Sequence, residues 1–224
     1  MVKNFLQDLL DWSEVWAPLM PLVVLSFRGS QPKYTVPVVV YLWFALVIDA
    51  FIDIGWKLGG CVPGWMYPNN YLYNVHSVGR FICFSTFFYL LGHPFRSRTD
   101  KLLPLLAALF ILANFLFFER FYNPKQFSSR LFAVESGLLL FYCLRYYLFQ
   151  SQTGKPYEKG ADFWVITGLS IYVVFNFFFF LFYTTLATNA QYETFLINMW
   201  NFHNVTFVIL CIFIARAFYV AGHK

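Results

Sequence analysis

The chain has 224 residues, of which 59% are hydrophobic, 23% aromatic and only 12% charged. Soluble domains average about 45–50% apolar and about 25% charged residues, so this composition excludes an ordinary soluble domain and predicts an integral membrane protein. The net charge of +5 does not indicate nucleic-acid binding, because lysine and arginine are scattered and form no run with interleaved aromatics. The four cysteines show no CxxC spacing, which indicates neither a disulfide framework nor a zinc knuckle.

Seven apolar windows of membrane-spanning length follow one another, each bounded by turn-forming or charged residues. We therefore expect one all-α domain over residues 1–224, a bundle of seven transmembrane helices. Acidic residues inside the first window argue against a signal peptide, so this window is expected to be a retained span. The windows lie at about 5–27, 35–58, 70–92, 102–119, 128–150, 162–186 and 192–219.

The distribution of basic residues between the two sides of this bundle predicts its orientation. One side receives Lys3, Lys57, Arg120, Lys125 and Arg130. The other side receives Arg28, Lys33, Arg96, Arg98, Lys101, Lys155, Lys159, Arg216 and Lys224. Because basic residues are enriched in cytoplasmic connections, the second side is expected to be cytoplasmic, with the N-terminus outside and the C-terminus inside.

Ionisable residues recur inside the apolar windows at a similar depth. A charged side chain at the bilayer centre costs about 2.5–3.5 kcal/mol on insertion scales, so such residues need a partner or a function. At 1.5 Å of rise per residue they come out roughly 10–15 Å below the outer surface, on five different helices. They are Glu14, Asp49, Asp53, His76, Arg80, Glu135 and His203.

Helical spacing predicts that these residues converge. Asp49 and Asp53 are four residues apart, as are His76 and Arg80, so each couple shares one helix face. The seventh window adds asparagines beside His203, and these faces are expected to turn away from lipid. We predict an outward-facing polar pocket lined by Glu14, Asp49, Asp53, Tyr73, His76, Arg80, Glu135, Asn201, His203 and Asn204.

The predicted layer contains more acidic than basic side chains. Four carboxylates face one arginine, so protons, a histidinium or a bound cation must balance the remaining negative charge. Arg80 is expected to pair with a carboxylate of a neighbouring helix. His76 and His203 are the groups most able to change charge or to take a metal, and the asparagines would orient a bound ligand.

Three functions fit this pattern. The first is a receptor-like membrane sensor whose outer pocket takes a small ligand, a cation or protons and which signals through a partner in the membrane. The alternative is an intramembrane metal-dependent lipid hydrolase, with zinc or another cation held by His76, His203, Asp53 and Glu135. The third is a proton or cation transporter. No catalytic residue is assigned, and retinal is excluded because no lysine lies between Gln191 and Arg216 to form a Schiff base.

Two resemblances bear on these hypotheses. The seven-span layout loosely resembles the alkaline ceramidase and adiponectin-receptor superfamily, which implies a zinc site of three histidines with acidic partners. This chain departs from that pattern, because Phe207 stands where the superfamily has a second histidine in the last span. The segments "WSEVW", "NVHSVGRF" and "NFHN" also resemble small uncharacterised seven-span bacterial membrane proteins. That resemblance implies the helix count and a bacterial inner membrane, and no activity.

Overall fold

A computed structural model describes residues 2–29, 31–57, 69–92, 98–118, 128–152 and 160–222. All regular secondary structure in these ranges is helical. Short 3₁₀ turns precede the fourth and ninth α-helices, and a π-helical stretch, Asn114–Phe118, extends the sixth. The helices are α1 Val2–Asp11, α2 Ser13–Trp16, α3 Leu19–Phe27, α4 Val36–Lys57, α5 Tyr71–Leu91, α6 Arg98–Ala113, α7 Ser129–Gln152, α8 Ala161–Ala187 and α9 Glu193–Ala221.

Several of these helices have the length and composition of membrane spans. Within the described ranges, four segments are long and apolar enough to cross a membrane: Lys33–Lys57, Ser129–Gln152, Ala161–Ala187 and Glu193–Ala221. Two shorter apolar segments are Ser13–Phe27 and Leu102–Phe117. The chain is thus an all-helical membrane protein with four candidate spans, which is fewer than the seven windows predicted from the sequence. Helix α5, of 21 residues, has an equivalent length but carries a buried polar face.

The helix ends lie close to the predicted window ends for α4, α5, α7, α8 and α9. The fourth window coincides with α6 and its π-helical extension, while residues 58 and 119, the last of their windows, lie outside the described residues. The first window differs, because it forms three short helices instead of one.

Two prolines account for the division between α2 and α3. Pro18 has no amide hydrogen to donate to the carbonyl of Glu14, and Pro21 cannot donate to that of Ala17. The chain turns at residues 17–18, where the Ala17 carbonyl instead accepts a bond of 3.1 Å from the Met20 amide. A second break at Trp12 separates α1 from α2, and the Trp16 indole donates across it to the carbonyl of Leu9 at 2.9 Å. The short α2 carries Glu14 into the bundle.

The helices pack as a closed ring. Helix α4 contacts α5, α5 contacts α7, α7 contacts α8, and α8 contacts α9. The first segment closes the ring, because α3 packs on α9 and α2 packs on α4. Helix α6 packs on α7 at the periphery and leaves most of its leucines exposed, as expected of a lipid-facing helix.

The core of the ring is apolar towards the end where α9 terminates. Fully buried aromatic and aliphatic side chains fill it, among them Phe84, Phe87, Phe88, Ile214 and Phe218. The buried ionisable side chains lie on the other half of the same helices. This asymmetry agrees with the sequence, which places its buried charges in one half of the windows.

Gly168 allows α8 and α9 to approach closely, and its replacement should weaken the bundle. A Cβ added there would lie 2.5 Å from Phe213 Cβ and 3.4 Å from Leu210 Cα, atoms that cannot move without moving α9. Overpacking of this kind costs about 1–3 kcal/mol, partly offset by the better helix propensity of alanine, about 1 kcal/mol. We expect Gly168→Ala to lower the melting temperature of the purified protein in detergent.

The matched control for this substitution is Gly29→Ala. A Cβ at Gly29 has no atom within 4 Å, so its addition should leave the melting temperature nearly unchanged. Equal melting temperatures for the two variants would show that the close approach of α8 to α9 contributes no stability.

Candidate functional site

The buried carboxylates form four acid–base pairs. Each carboxylate exposes 8% or less of its surface, and each lies within ion-pair distance of a basic side chain. Three of the pairs join different helices, whereas the fourth lies within α4. The pairs are Glu14 with His203, Asp49 with His76, Asp53 with Lys57, and Glu135 with Arg80.

Arg80 and Glu135 form a bidentate ion pair between α5 and α7. Arg80 Nε lies 2.5 Å from Oε1 of Glu135, and Nη2 lies 2.7 Å from Oε2. Ser77 donates to the same Oε2 at 2.5 Å, and Arg80 Nη1 donates to the Tyr172 hydroxyl of α8. The arginine is only 1% exposed. The sequence prediction that Arg80 pairs with a carboxylate of a neighbouring helix is therefore confirmed, and the pair ties three helices together.

His203 is held between Glu14 and Asn176. Asn176 donates its side-chain amide to the Tyr172 carbonyl at 2.7 Å, which directs Asn176 Oδ1 towards His203 Nδ1. Because Oδ1 can only accept, Nδ1 must carry a hydrogen. His203 Nε2 then faces Glu14 Oε1 at 3.3 Å. Two lone pairs cannot face each other favourably, so the Glu14–His203 pair holds a proton between Nε2 and the carboxylate.

His76 and Asp49 form a pair that is less completely satisfied. His76 Nδ1 lies 2.9 Å from Asp49 Oδ1, but neither carboxylate oxygen receives a well-directed hydrogen bond. His76 Nε2 is also buried without a partner, and the Tyr41 hydroxyl is another buried atom without one. The Tyr41 ring stacks on the imidazole at 5.9 Å. Buried polar groups are nearly always hydrogen-bonded, so this incompleteness is unusual and marks a functional candidate.

Lys57 forms the fourth pair at the end of α4. Its ammonium group lies 3.2 Å from Asp53 Oδ2, donates to the Asp11 carbonyl at 2.6 Å, and lies 3.9 Å from the centre of the Trp12 ring. The lysine side chain is 27% exposed, so this pair lies at the edge of the network. The sequence places Lys57 on the outer side of the bundle and does not indicate that it pairs with a buried carboxylate.

The four pairs are linked electrostatically. Glu14 interacts not only with His203 but also with His76 and Arg80. Asp49 interacts with Glu14 and Arg80 as well as with His76. Asp53 completes the set through its interactions with Glu14 and Asp49. A change of charge at one pair therefore alters the energy of the others.

The remaining predicted residues pack beside this network. Tyr73 contacts the Trp200 ring edge-on at 5.8 Å. Asn201 exchanges amide hydrogen bonds of 3.1 and 3.3 Å with Gln7, and Asn204 donates to the Leu10 carbonyl at 3.1 Å. The two asparagines thus attach α1 to α9, which differs from the ligand-orienting role expected from the sequence.

The residues of the network are buried among the described helices and do not line an open pocket. The seven predicted ionisable residues expose no more than 8% of their surface each. Large grooves lie elsewhere on the described helices. One of about 760 Å³ lies between α5, α6 and α7, and another of about 680 Å³ lies on the phenylalanine-rich face of α8 and α9.

The predicted metal ligands do not assemble into one site. His76, His203, Asp53 and Glu135 each belong to a different acid–base pair. Over the described ranges, no group of three or more histidine, cysteine, aspartate or glutamate side chains could hold a metal ion. Zinc or another cation as a resident cofactor therefore does not fit this donor set, and no chemistry is derived through one.

Several network residues were missed by the sequence analysis. Tyr41, Tyr172 and Asn176 lie in apolar windows, and Ser77 lies within the "NVHSVGRF" segment. Asn176 did give a signal, because a lone amide within an apolar span needs an internal partner. The tyrosines gave none, since most tyrosines in such spans serve packing or interface anchoring.

Comparisons with known proteins add no assignment to this site. No family model, curated protein or solved structure matches the chain.

Proposed function

We propose that this protein is a seven-span membrane sensor whose ligand is the proton. The seven apolar windows all contain helix, and the distribution of basic residues favours an N-terminus outside. The resemblance to small seven-span bacterial membrane proteins favours the inner membrane of a bacterium. The sensing element consists of the Glu14–His203 and Asp49–His76 pairs. The observation that carries the proposal is the presence of two buried histidine–carboxylate pairs within one electrostatic network.

Histidine–carboxylate pairs are suited to binding protons near neutral pH. Histidine is the side chain whose ordinary titration falls between about pH 5 and 8. In the Glu14–His203 pair, Nδ1 is committed to Asn176, so protons are exchanged only at Nε2 and the carboxylate. In the Asp49–His76 pair, the unpartnered Nε2 of His76 is the atom that can accept another proton.

The connectivity of the pairs explains how protonation would move helices. Glu14–His203 joins α2 to α9, and Asp49–His76 joins α4 to α5. Both contacts strengthen or weaken with the number of bound protons. The bidentate Arg80–Glu135 pair contains no histidine and holds α5 to α7. Proton binding at the two histidine–carboxylate pairs therefore changes the α2–α9 and α4–α5 contacts of the helix ring.

A signal from this site requires a second protein. In the part of the chain that the structure describes, no folded unit lies outside the helices. The proposed sensor therefore acts through a membrane partner that contacts the moving helices and responds to the change.

The proposal is tested by a pH titration of Trp200 fluorescence. The Trp200 ring lies 5.4 Å from that of His203, so conversion of the imidazole to imidazolium should change its emission. The chain has seven tryptophans, and subtraction of the Trp200→Phe signal isolates the relevant one. We expect a fluorescence transition between pH 5 and 8 in the purified protein, about the range in which histidine titrates.

Variants of the pair decide the origin of that transition. His203→Gln should abolish it, and Glu14→Gln should shift it, because the carboxylate stabilises the imidazolium. The control is Glu193→Gln, which removes an exposed carboxylate from the same helix and should change nothing. A transition that persists in His203→Gln would refute proton binding at this pair.

A transport assay separates sensing from proton conduction. Beyond the network, the core towards the other end of the ring is apolar, which favours a sensor over a conductor. Proteoliposomes containing the protein and an internal pH dye should therefore show no proton flux under an imposed gradient. Flux that disappears in His203→Gln would replace the sensor proposal with a transporter.

A further inference from the structure

A cationic and aromatic cluster lies at the end of the bundle opposite the polar network. The guanidinium of Arg28, just after α3, lies 4.0 Å from the centre of the Tyr219 ring. The guanidinium of Arg216 lies 5.3 Å from the same ring and 5.6 Å from the Trp164 ring. Two arginines from separate segments thus flank one tyrosine, beside the first turn of α8.

This cluster carries two positive charges that no described carboxylate balances. Among the described carboxylates, none lies within ion-pair distance of Arg28 or Arg216, and the Trp164 Nε1 hydrogen is buried without an acceptor. Asp162 is the nearest acidic residue along α8, but it accepts a bond of 2.7 Å from Tyr146. It also lies two residues from Trp164, which places it on the opposite face of the helix. The missing component of the cluster is therefore an anion.

The position of Arg28 is well defined by packing. A Cβ added to Gly222 would lie 2.7 Å from Arg28 Cβ, so the arginine stem rests directly on the backbone at the end of α9. Arg216 is exposed and covers the indole, and a long surface side chain can move aside to admit a ligand oxygen to Nε1. One arginine is thus preorganised and the other is adjustable.

The surroundings indicate what kind of anion would bind. The cluster lies where α3 ends, α8 begins and α9 ends, which is the side with the greater number of basic residues. Apolar side chains adjoin it, because Phe27 is 83% exposed and Ile212, one helical turn before Arg216, is 50% exposed. Anionic headgroups beside apolar surface are found together in phospholipids of the cytoplasmic leaflet.

We propose that Arg28, Arg216 and Trp164 form a binding site for the phosphate of an anionic phospholipid. Guanidinium groups bind phosphate oxygens in a bidentate manner, and the indole donates a further hydrogen bond. The acyl chains would extend along the exposed apolar side chains of α3 and α9. This site shares no residue with the proton-binding pairs, so its test is independent of the proposed function.

Native mass spectrometry of the full chain in detergent tests the site. The protein is incubated with phosphatidylglycerol or with phosphatidylcholine, and retained lipid is counted. We expect retention of one phosphatidylglycerol at concentrations where phosphatidylcholine is lost. Inorganic phosphate, added as a competitor, should not displace the lipid if the acyl chains contribute; displacement would show that the site takes a free phosphate and overturn the lipid assignment.

Variants test whether retention of phosphatidylglycerol depends on these side chains. The double variant Arg28→Gln/Arg216→Gln should weaken phosphatidylglycerol binding about tenfold or more, given the known contribution of a basic residue near an anionic surface. Arg145→Gln, which removes an arginine of α7 outside the cluster, serves as the control and should retain the lipid. Equal losses of phosphatidylglycerol binding in the double variant and in the control would show that binding depends only on the overall positive charge, and would refute the site.

Two milder substitutions keep the proposal testable if the double variant does not fold. Arg216→Lys keeps the charge but removes the planar donor pair, and Trp164→Phe keeps an aromatic ring but removes the indole hydrogen. Each should lower retention several-fold without changing the melting temperature. If both bind phosphatidylglycerol as the unmodified protein does, the cluster is an interface anchor and not a lipid site.

Discussion

Glu135→Leu is expected to destabilise the folded protein by about 3–5 kcal/mol, the usual cost of leaving a buried charge without its partner. The substitution removes the two carboxylate oxygens that accept from the Arg80 guanidinium, which is 1% exposed and lies between three helices. It also leaves the Ser77 hydroxyl without an acceptor. Chemical denaturation of the purified protein in mixed micelles measures the loss.

A double variant isolates the contribution of the ion pair. Arg80→Met/Glu135→Leu removes both charges, so part of the stability lost in the single variant should return. Recovery should be incomplete, because Tyr172 and Ser77 lose their partners in this background. A double variant no more stable than Glu135→Leu would show that the uncompensated arginine charge is not the source of the cost.

Asp49→Asn is expected to act in the opposite direction and to stabilise the protein by about 1–3 kcal/mol, because it removes a buried negative charge whose oxygens receive no well-directed hydrogen bond. Neither carboxylate oxygen of Asp49 has a well-directed hydrogen bond, and the residue is fully buried. The asparagine amide has the same shape without the charge, and His76 can donate to its oxygen as a neutral imidazole. The same denaturation assay detects the gain.

The two variants together separate a structural pair from a functional one. Residues held in an unfavourable state at a functional site commonly gain stability and lose activity when replaced. Asp49→Asn should therefore also alter the Trp200 pH transition, because Asp49 interacts with Glu14. A loss of stability as large as that of Glu135→Leu would instead assign Asp49–His76 a purely structural role.

Part of this organisation could be predicted from the sequence alone. Hydrophobic windows locate the helices. A segment inside a membrane has no water to bond, so its backbone groups must hydrogen-bond to one another and its side chains must be mostly apolar. The rarity of charges in such windows also singles out the seven buried ionisable residues. The depth count predicts that they lie in one layer, because the rise per residue in a helix is nearly constant.

The sequence alone did not reveal which side chain pairs with each buried charge. Four of the predicted spans have the length and hydropathy of membrane helices, while α5 lacks that signal because its buried face carries His76, Ser77 and Arg80. The first window gives no indication that it divides at Trp12. Lys57 is counted only as a basic residue of the outer side, although it contacts Asp53. Local sequence does not encode which helices become neighbours.

The sequence by itself determined the helical class, the membrane environment and the identity of the buried charged residues. Only the tertiary structure decided that the four buried carboxylates lie in four acid–base pairs and leave no group of metal ligands among the described residues. It also decided which nitrogen of His203 faces Glu14, because Asn176 of another helix occupies Nδ1 and leaves Nε2 towards the carboxylate. The physical reason is that pairing depends on helix rotation and neighbour order, which arise from packing over the whole ring.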